Sequence, residues 1–327
     1  MLPKNKKFIS LLKNKDMNLF EFMQKFPDEK SCLNYLKEMR LQQGLECKKC
    51  NCKEHYWKKD KEMFECKKCK NRISLKSRTI MEDSNLPIHI WFKTIHLLSA
   101  TKKTFSALEI QRQLEYERYE PIWNLLHKIR WAMGKRDDRY QLSEYLEIDE
   151  GFFKVVDRDK SKEQIDEKQK RGRGSINQSK VLVLIESAPV EENEKLSKHK
   201  PNRKCGYLKM IVMNDLKSDS INQVIEPIVE SGAKAITDKY KGYSKLKELL
   251  KHEEINTSEI KEVHKVFPWV HSAIGNAKNL LRGTHHSIGK EYLQSYLNEF
   301  CYKYNRRYYK DKFDRLLIAC ISVEKQN

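Results

Sequence analysis

The sequence predicts an α/β chain in three successive parts: a small cysteine-held module, a short helical segment, and a mixed sheet with helices packed on it. Three observations carry this. Two CxxC pairs lie between Cys47 and Cys69. Three stretches with apolar residues at helical spacing follow, between Asn85 and Asp137. From Tyr145 onward, short apolar or alternating runs are separated by polar segments. The boundaries are expected at residues 1–84, 85–142 and 143–310, with a tail at 311–327.

Charge narrows the partner. The 327 residues carry 65 Lys and Arg against 46 Asp and Glu, a net charge of +19. Such a surplus favours a polyanion, and nucleic acid is the commonest. A membrane-spanning role is disfavoured, because no apolar run approaches the ~18–20 residues a spanning helix needs. The basic start "MLPKNKKFISLLKNKD" has an apolar core, "FISLL", too short for a secretory signal. A soluble cytoplasmic protein is expected, and its nine cysteines are then expected to be reduced thiols.

Cys47 and Cys50 form one pair, Cys66 and Cys69 the other, with fifteen residues between them. A two-residue spacing turns both thiolates of a knuckle onto one ion, and two knuckles complete a tetrahedral zinc site. "HYWKK" and "MFECKK" suit the strands of an intervening hairpin. Cys52 could replace Cys50 as the ligand. Cys32, Cys205, Cys301 and Cys320 are isolated and read as packed thiols. From Cys47 to Arg78 there are twelve Lys or Arg against four acids, so the ribbon is predicted to dock phosphates.

"NLPIHIWFKTIHLLSATKK" reads as a helix with Ile90, Ile95, Leu97 and Leu98 as its apolar positions. In "TFSALEIQRQL", Ser106 with Glu109 three residues on starts a short second helix. "YEPIWNLLHKIRWAMGKRD" makes a third. Ile122, Leu125, Leu126, Ile129 and Met133 are apolar, and His127, Lys128, Arg130, Lys135 and Arg136 are placed on its other side. This reads as a helix-turn-helix whose third helix contacts DNA. A plain helical linker domain shows the same periodicity.

In "YLEIDEGFFKVV", Asp149 points away from the face of Leu146 and Ile148. "KVLVLIESA" and "YLKMIVMND" read as strands, the first buried on both faces. "SINQVIEPIVESG" reads as a helix closed by Gly232, "KAITDKY" as a strand, and "SKLKELLKH" as a helix. The acid at the end of the fourth strand, Asp238, is costly to desolvate unless it is met by a cation or hydrogen-bond donors. The residues alone leave two readings open: a bound metal ion, or a turn capped through the amides of Tyr240 or Lys241.

The ordered set of Asp149, "TDKYKGY" (Thr237 to Tyr243), "KRGRGS" (Lys170 to Ser175), "PWVHSAIGNAKNLL" and "NEFCYKYNRR" (Asn298 to Arg307) resembles one family. This is the ISXO-type bacterial insertion-sequence transposases, the group numbered fifteen-ninety-five. The likeness runs from about Phe26 to about Tyr309. It implies an RNase H-like core with its first and fourth strands adjacent, so that Asp149 and Asp238 share Mg²⁺ or Mn²⁺. It also implies Asn276 as the third ligand, where many related enzymes have Glu, with Lys278 nearby. The apolar stripe Ala273, Ile274, Ala277, Leu280 and Leu281 places Asn276 at its buried edge. Glu150 is expected on the opposite side of the strand, and His271 as a cap or surface group. Arg171 and Arg173 are candidates for phosphate contact.

The implied activity is binding of terminal inverted repeats in double-stranded DNA, followed by strand cleavage and strand transfer. Handling two ends implies a homodimer or larger synaptic assembly. The alternatives are a catalytically silent DNA-binding regulator and a metal-dependent nuclease.

Overall fold

The computed structural model describes residues 16–156, 177–190, 202–257, 260 and 266–324. Two compact units are present, one formed by Met1–Arg136 with Arg306–Asn327, the other by Asp137–Asn305. Arg171, Arg173 and the whole "KRGRGS" segment lie outside the described residues.

The first unit begins with helices α1 (Leu19–Lys25) and α2 (Glu29–Gln43), capped by Asn18 and Asp28. A three-stranded antiparallel sheet follows: β1 (His55–Lys58), β2 (Met63–Cys66) and β3 (Arg72–Ser74). Helices α3 (Ile88–Ala100), α4 (Ala107–Gln113) and α5 (Tyr119–Asp137) come next. The three helices fall where the apolar spacing predicts them. Ser106 caps α4, its Oγ accepting from the Glu109 amide at 3.1 Å. Pro87 gives α3 no side-chain cap, and Glu29 on α2 replaces it by accepting the Ile88 and His89 amides, both at 2.7 Å. Residues 311–327, expected as a tail, instead contribute helix α9 (Lys312–Ile321). Its stripe of Phe313, Leu316, Leu317 and Cys320 is buried. The Phe313 ring lies 5.5–5.7 Å from those of Phe22, Phe26 and Phe92.

The second unit is a five-stranded sheet in the order β6-β5-β4-β7-β8. Its strands are β4 (Tyr145–Lys154), β5 (Gln178–Pro189), β6 (Arg203–Met213), β7 (Lys234–Asp238) and β8 (Lys251–Ile255). The first three run antiparallel, while β7 and β8 join parallel to β4. This mixed order is the RNase H-like arrangement. Helices α7 (Val270–Thr284) and α8 (Leu293–Asn305) form a core with Phe153, Val183 and Met210 on one face. Helix α6 (Ser218–Ile225) packs with Leu146, Ile148 and Leu184 on the other. Strand β5 is covered on both sides, which accounts for its unbroken apolar run.

Two segments differ from the sequence expectation. Helix α6 stops at Ile225, because Pro227 has no N–H to continue it. The chain then leaves the helix and bridges Leu142 through Val229, and Gly232 (φ +88°) sits in the turn into β7. In "SKLKELLKH" a single 3₁₀ turn, Leu246–Glu248, replaces the expected helix. Leu246 and Leu250 enter the core, and the chain then extends as β8, a short charged edge paired to β7.

The free edge of β6 is closed by side chains of α8. The Gln294 amide accepts from the Val212 N–H at 2.8 Å and donates to the Met210 carbonyl at 3.0 Å. Asn305 does the same for Leu208, at 2.8 and 3.0 Å. Two residues of "NEFCYKYNRR" are thereby explained by edge pairing and ion pairing: Asn305, and Glu299, which pairs with Lys303 at 2.8 Å.

Candidate active site

Strands β4 and β7 pair with an offset of 89 positions in each of three pairs, Tyr145↔Lys234, Leu146↔Ala235 and Glu147↔Ile236. That offset is also the separation of Asp149 and Asp238. The ladder ends at that last pair, and two residues further on the same offset gives Asp149 and Asp238 equivalent places on neighbouring strands. A crevice at the ends of parallel strands is where ligands enter open α/β sheets.

Each aspartate is already engaged. The Asp149 Oδ1 accepts from the Glu150 amide at 2.8 Å, and its Oδ2 lies 3.1 Å from Nε2 of His271. The Asp238 Oδ1 accepts from the Tyr240 amide at 3.1 Å, so the turn cap considered from sequence exists. The hydrogen bond to Asp149 holds the His271 imidazole above its ordinary pKa against the opposing effect of burial. The carboxylates of Asp149, Glu147 and Asp238 add to this. Tyr243, pushed well up by burial and by Glu150, also feels both Asp149 and Asp238. One locus thus holds both aspartates.

The tyrosines of "TDKYKGY" pack on the opposite face of the sheet. The Thr237 hydroxyl lies 2.8 Å from Nε2 of His252. The Tyr243 hydroxyl donates to Glu150 Oε2 at 2.9 Å, across the sheet face opposite Asp149. Gly242 is required by close approach: a Cβ there would strike the Tyr240 ring and come within 2.7 Å of the Leu216 carbonyl oxygen.

Helix α7 is fixed over β4 by Glu147, which sequence reasoning missed. Its Oε2 accepts the Trp269 and Val270 amides at 3.0 and 2.9 Å, capping a helix that has no cap of its own. The contact spans 123 positions, so no local pattern announces it. Gly151 lets the helix ride close, since a Cβ there would meet Phe153 at 2.9 Å and Ile274 at 3.4 Å. His271 and Lys278 lie on the flank of α7 that faces β4, with the Lys278 Nζ 5.7 Å from the centre of the Phe153 ring. Asn276 is exposed, five residues after His271 and so on a different flank. The structure puts His271 in contact with Asp149, with Asp238 on the neighbouring strand, while Asn276, expected at the buried edge of α7, is instead exposed on another flank.

In the first unit the four thiols of Cys47, Cys50, Cys66 and Cys69 lie within 4.8 Å of one another. Among the described residues they are the one cluster of three or more His, Cys, Asp or Glu groups close enough to share an ion. The two knuckles repeat one backbone pattern. Cys47 N–H donates to Cys52 O and Asn51 N–H to Cys47 O; Cys66 N–H donates to Asn71 O and Lys70 N–H to Cys66 O. Asn51 and Lys70 both take positive φ, 54° and 59°. The backbone amide of Cys69 brings the Cys66 thiol down to about 6. Four converging thiols, with Cys47 and Cys66 both held below their ordinary pKa, fit zinc. Cys52 lies outside the cluster, its Sγ turned to the Glu54 carbonyl at 3.7 Å.

Of the basic residues expected to face DNA from α5, Arg130 is a correction. It is 1% exposed, with Nη2 donating to the Phe105 carbonyl at 3.4 Å, so its charge serves the fold. Lys128 donates to the Glu82 carbonyl at 3.2 Å and is half-buried. Lys135 is exposed and lies over the Trp131 ring at 4.6 Å, and Arg136 is half-buried.

A four-thiol ribbon joined in one chain to a mixed RNase H-like sheet is the plan of a transposase. Residues 141–305 match the ISXO2-like transposase domain, and residues 27–72 match the transposase zinc-ribbon domain. The chain belongs to the IS1595 family of transposases. No curated protein matches it. Among the described residues, no helix is long and apolar enough to cross a membrane.

Proposed function

We propose that this chain binds the terminal inverted repeats of its element and cleaves and joins DNA strands at the Asp149–Asp238 pair. The observation that supports this is the offset of 89 between the paired strands, which is also the separation of Asp149 and Asp238, two residues past the last pair. Two carboxylates and an amide are hard oxygen donors, the set that suits Mg²⁺ or Mn²⁺. When bound, such ions supply an activated nucleophile and neutralise charge on the scissile phosphate. Asp149 and Asp238 hold this position, and His271 is the group a cation at Asp149 competes with. Asn276 is assigned as a third, neutral oxygen donor, exposed and so open to a ligand from solvent. Lys278 is assigned to orient the phosphate.

Water and a DNA 3′-hydroxyl can use the same site in turn. Hydrolysis then frees the 3′-hydroxyl, and attack on target DNA joins it, without a covalent protein intermediate. Recognition of the ends is assigned to the basic ribbon and to α3–α5, with Lys135 the exposed cation of α5. Two ends require a dimer or larger assembly.

The test is nicking of duplexes carrying the element ends with Mg²⁺ or Mn²⁺, stopped by chelator. Asp149→Ala and Asp238→Ala should each abolish nicking while DNA binding persists. Asn276→Ala should severely reduce it, and Asn276→Asp should retain measurable activity with altered metal preference. Full cleavage by the Asp238 variant would overturn the site. Full cleavage by Asn276→Ala would move the third role to His271.

A further inference from the structure

The register that aligns the aspartates also builds a cationic row at the other end of the same sheet face. Tyr145, Lys234 and Lys251 are consecutive Cα partners across β4, β7 and β8. Paired residues share a face, so this row lies on the same side as Asp149 and Asp238, four residues earlier on each strand. At ~3.3 Å per residue the separation is about 13 Å.

The row lines a cavity of about 280 Å³ together with Arg203, His252 and Glu253. The Lys234 Nζ donates to the Tyr145 hydroxyl at 3.2 Å, and the Arg203 guanidinium stands 6.0 Å from the centre of the Tyr145 ring. Arg203 is held in place by Nη1 donating to the Ser187 carbonyl at 2.9 Å, and its own carbonyl accepts from the Trp269 indole at 3.1 Å. His252 is buried against Thr237 and kept below its ordinary pKa by that burial, so it adds little positive charge at neutral pH. Glu253 is exposed at the rim. Three cations against one exposed acid leave the cavity positive. Like charges placed directly opposite on neighbouring strands destabilise a sheet, and Lys234 beside Lys251 is such a pair. An anion between them reverses the sign of that interaction.

We propose that this cavity is a subsite for a backbone phosphate of the DNA strand held at the aspartate pair. The proposal rests on the reading of Asp149 and Asp238 as the cleavage site. Lys234 and Lys251 bind the phosphate oxygens as exposed point charges, and Arg203 closes the inner side.

The experiment uses the full chain carrying Lys234→Gln and Lys251→Gln, both exposed positions whose change leaves the core untouched. Binding to duplexes bearing the element end is followed by fluorescence anisotropy across a salt series. A second series of duplexes carries one neutral methylphosphonate at successive positions. The double variant should bind about tenfold more weakly at low salt, with the slope of log K against log salt reduced by about one. Wild type should lose affinity at one methylphosphonate position where the variant loses nothing further. An unchanged slope and affinity, or equal sensitivity of both proteins at every position, would overturn the subsite. Neither readout needs cleavage: a wild type that binds in this way but never nicks would refute the aspartate reading and not the pocket.

Discussion

At the scale of single residues, the most informative side chain is Glu147, buried at 0% exposure and spent on the first amides of α7. Replacing it by Ala leaves those amides without a partner and should destabilise the second unit by about 1–2 kcal/mol. Because α7 carries His271, Asp149 should lose its imidazole contact as well. Glu147→Gln keeps an accepting oxygen and should restore the helix position. Burial raises the Glu147 carboxyl above its ordinary value, although the two amides oppose this. A raised pKa contributes stability that is fully present below the unfolded value of 4.5 and is lost as pH rises through the folded one. Denaturant melts of wild type across that window should lose this increment with rising pH, and the Gln variant should not. Equal pH slopes in the two proteins would show that the carboxyl is not perturbed in the fold.

At the scale of elements, what could be read in advance follows from how local each cause is. The zinc knuckles, the Ser106 cap and the alternation of β4 are set by residues within a few positions of one another, and all stand where the sequence puts them. Trans caps are invisible for the opposite reason: Glu29 caps α3 and Glu147 caps α7 from far along the chain. In "SKLKELLKH" the helical spacing of Leu246, Leu249 and Leu250 gives only a 3₁₀ turn, and its last two residues enter β8, where pairing with β7 decides the outcome. Arg130 looked like a DNA contact because periodicity assigns it a face but not a depth. The ribbon yields the clearest prediction at this scale. Purified protein should carry one zinc per chain by elemental analysis, and Cys66→Ser should unfold residues 47–69 while the five-stranded sheet keeps its circular dichroism. Structural zinc supplies on the order of 10 kcal/mol in isolated zinc peptides, so so small a unit has no substitute for it. Protein prepared without chelator and free of zinc would remove the metal from the ribbon.

At the scale of the whole molecule, the last helix belongs to the first unit, so the chain returns to where it began. Phe313 fills a ring cluster with Phe22, Phe26 and Phe92, and Tyr35 donates to Asp314 at 2.6 Å. Phe313→Ala should cost about 3–5 kcal/mol in that unit, read as an earlier urea transition. A fragment of residues 1–142 lacks the same helix and should melt early even with zinc bound; an unaltered melt for either protein would contradict this packing. The amide clamps on β6 have a further consequence for assembly. With both backbone groups of Leu208, the Met210 carbonyl and the Val212 N–H already bonded to Asn305 and Gln294, that border is a poor template for an incoming strand. Two copies of the chain are therefore hindered from joining by extending one continuous sheet through β6. The clamp thereby guards that border against edge-to-edge aggregation.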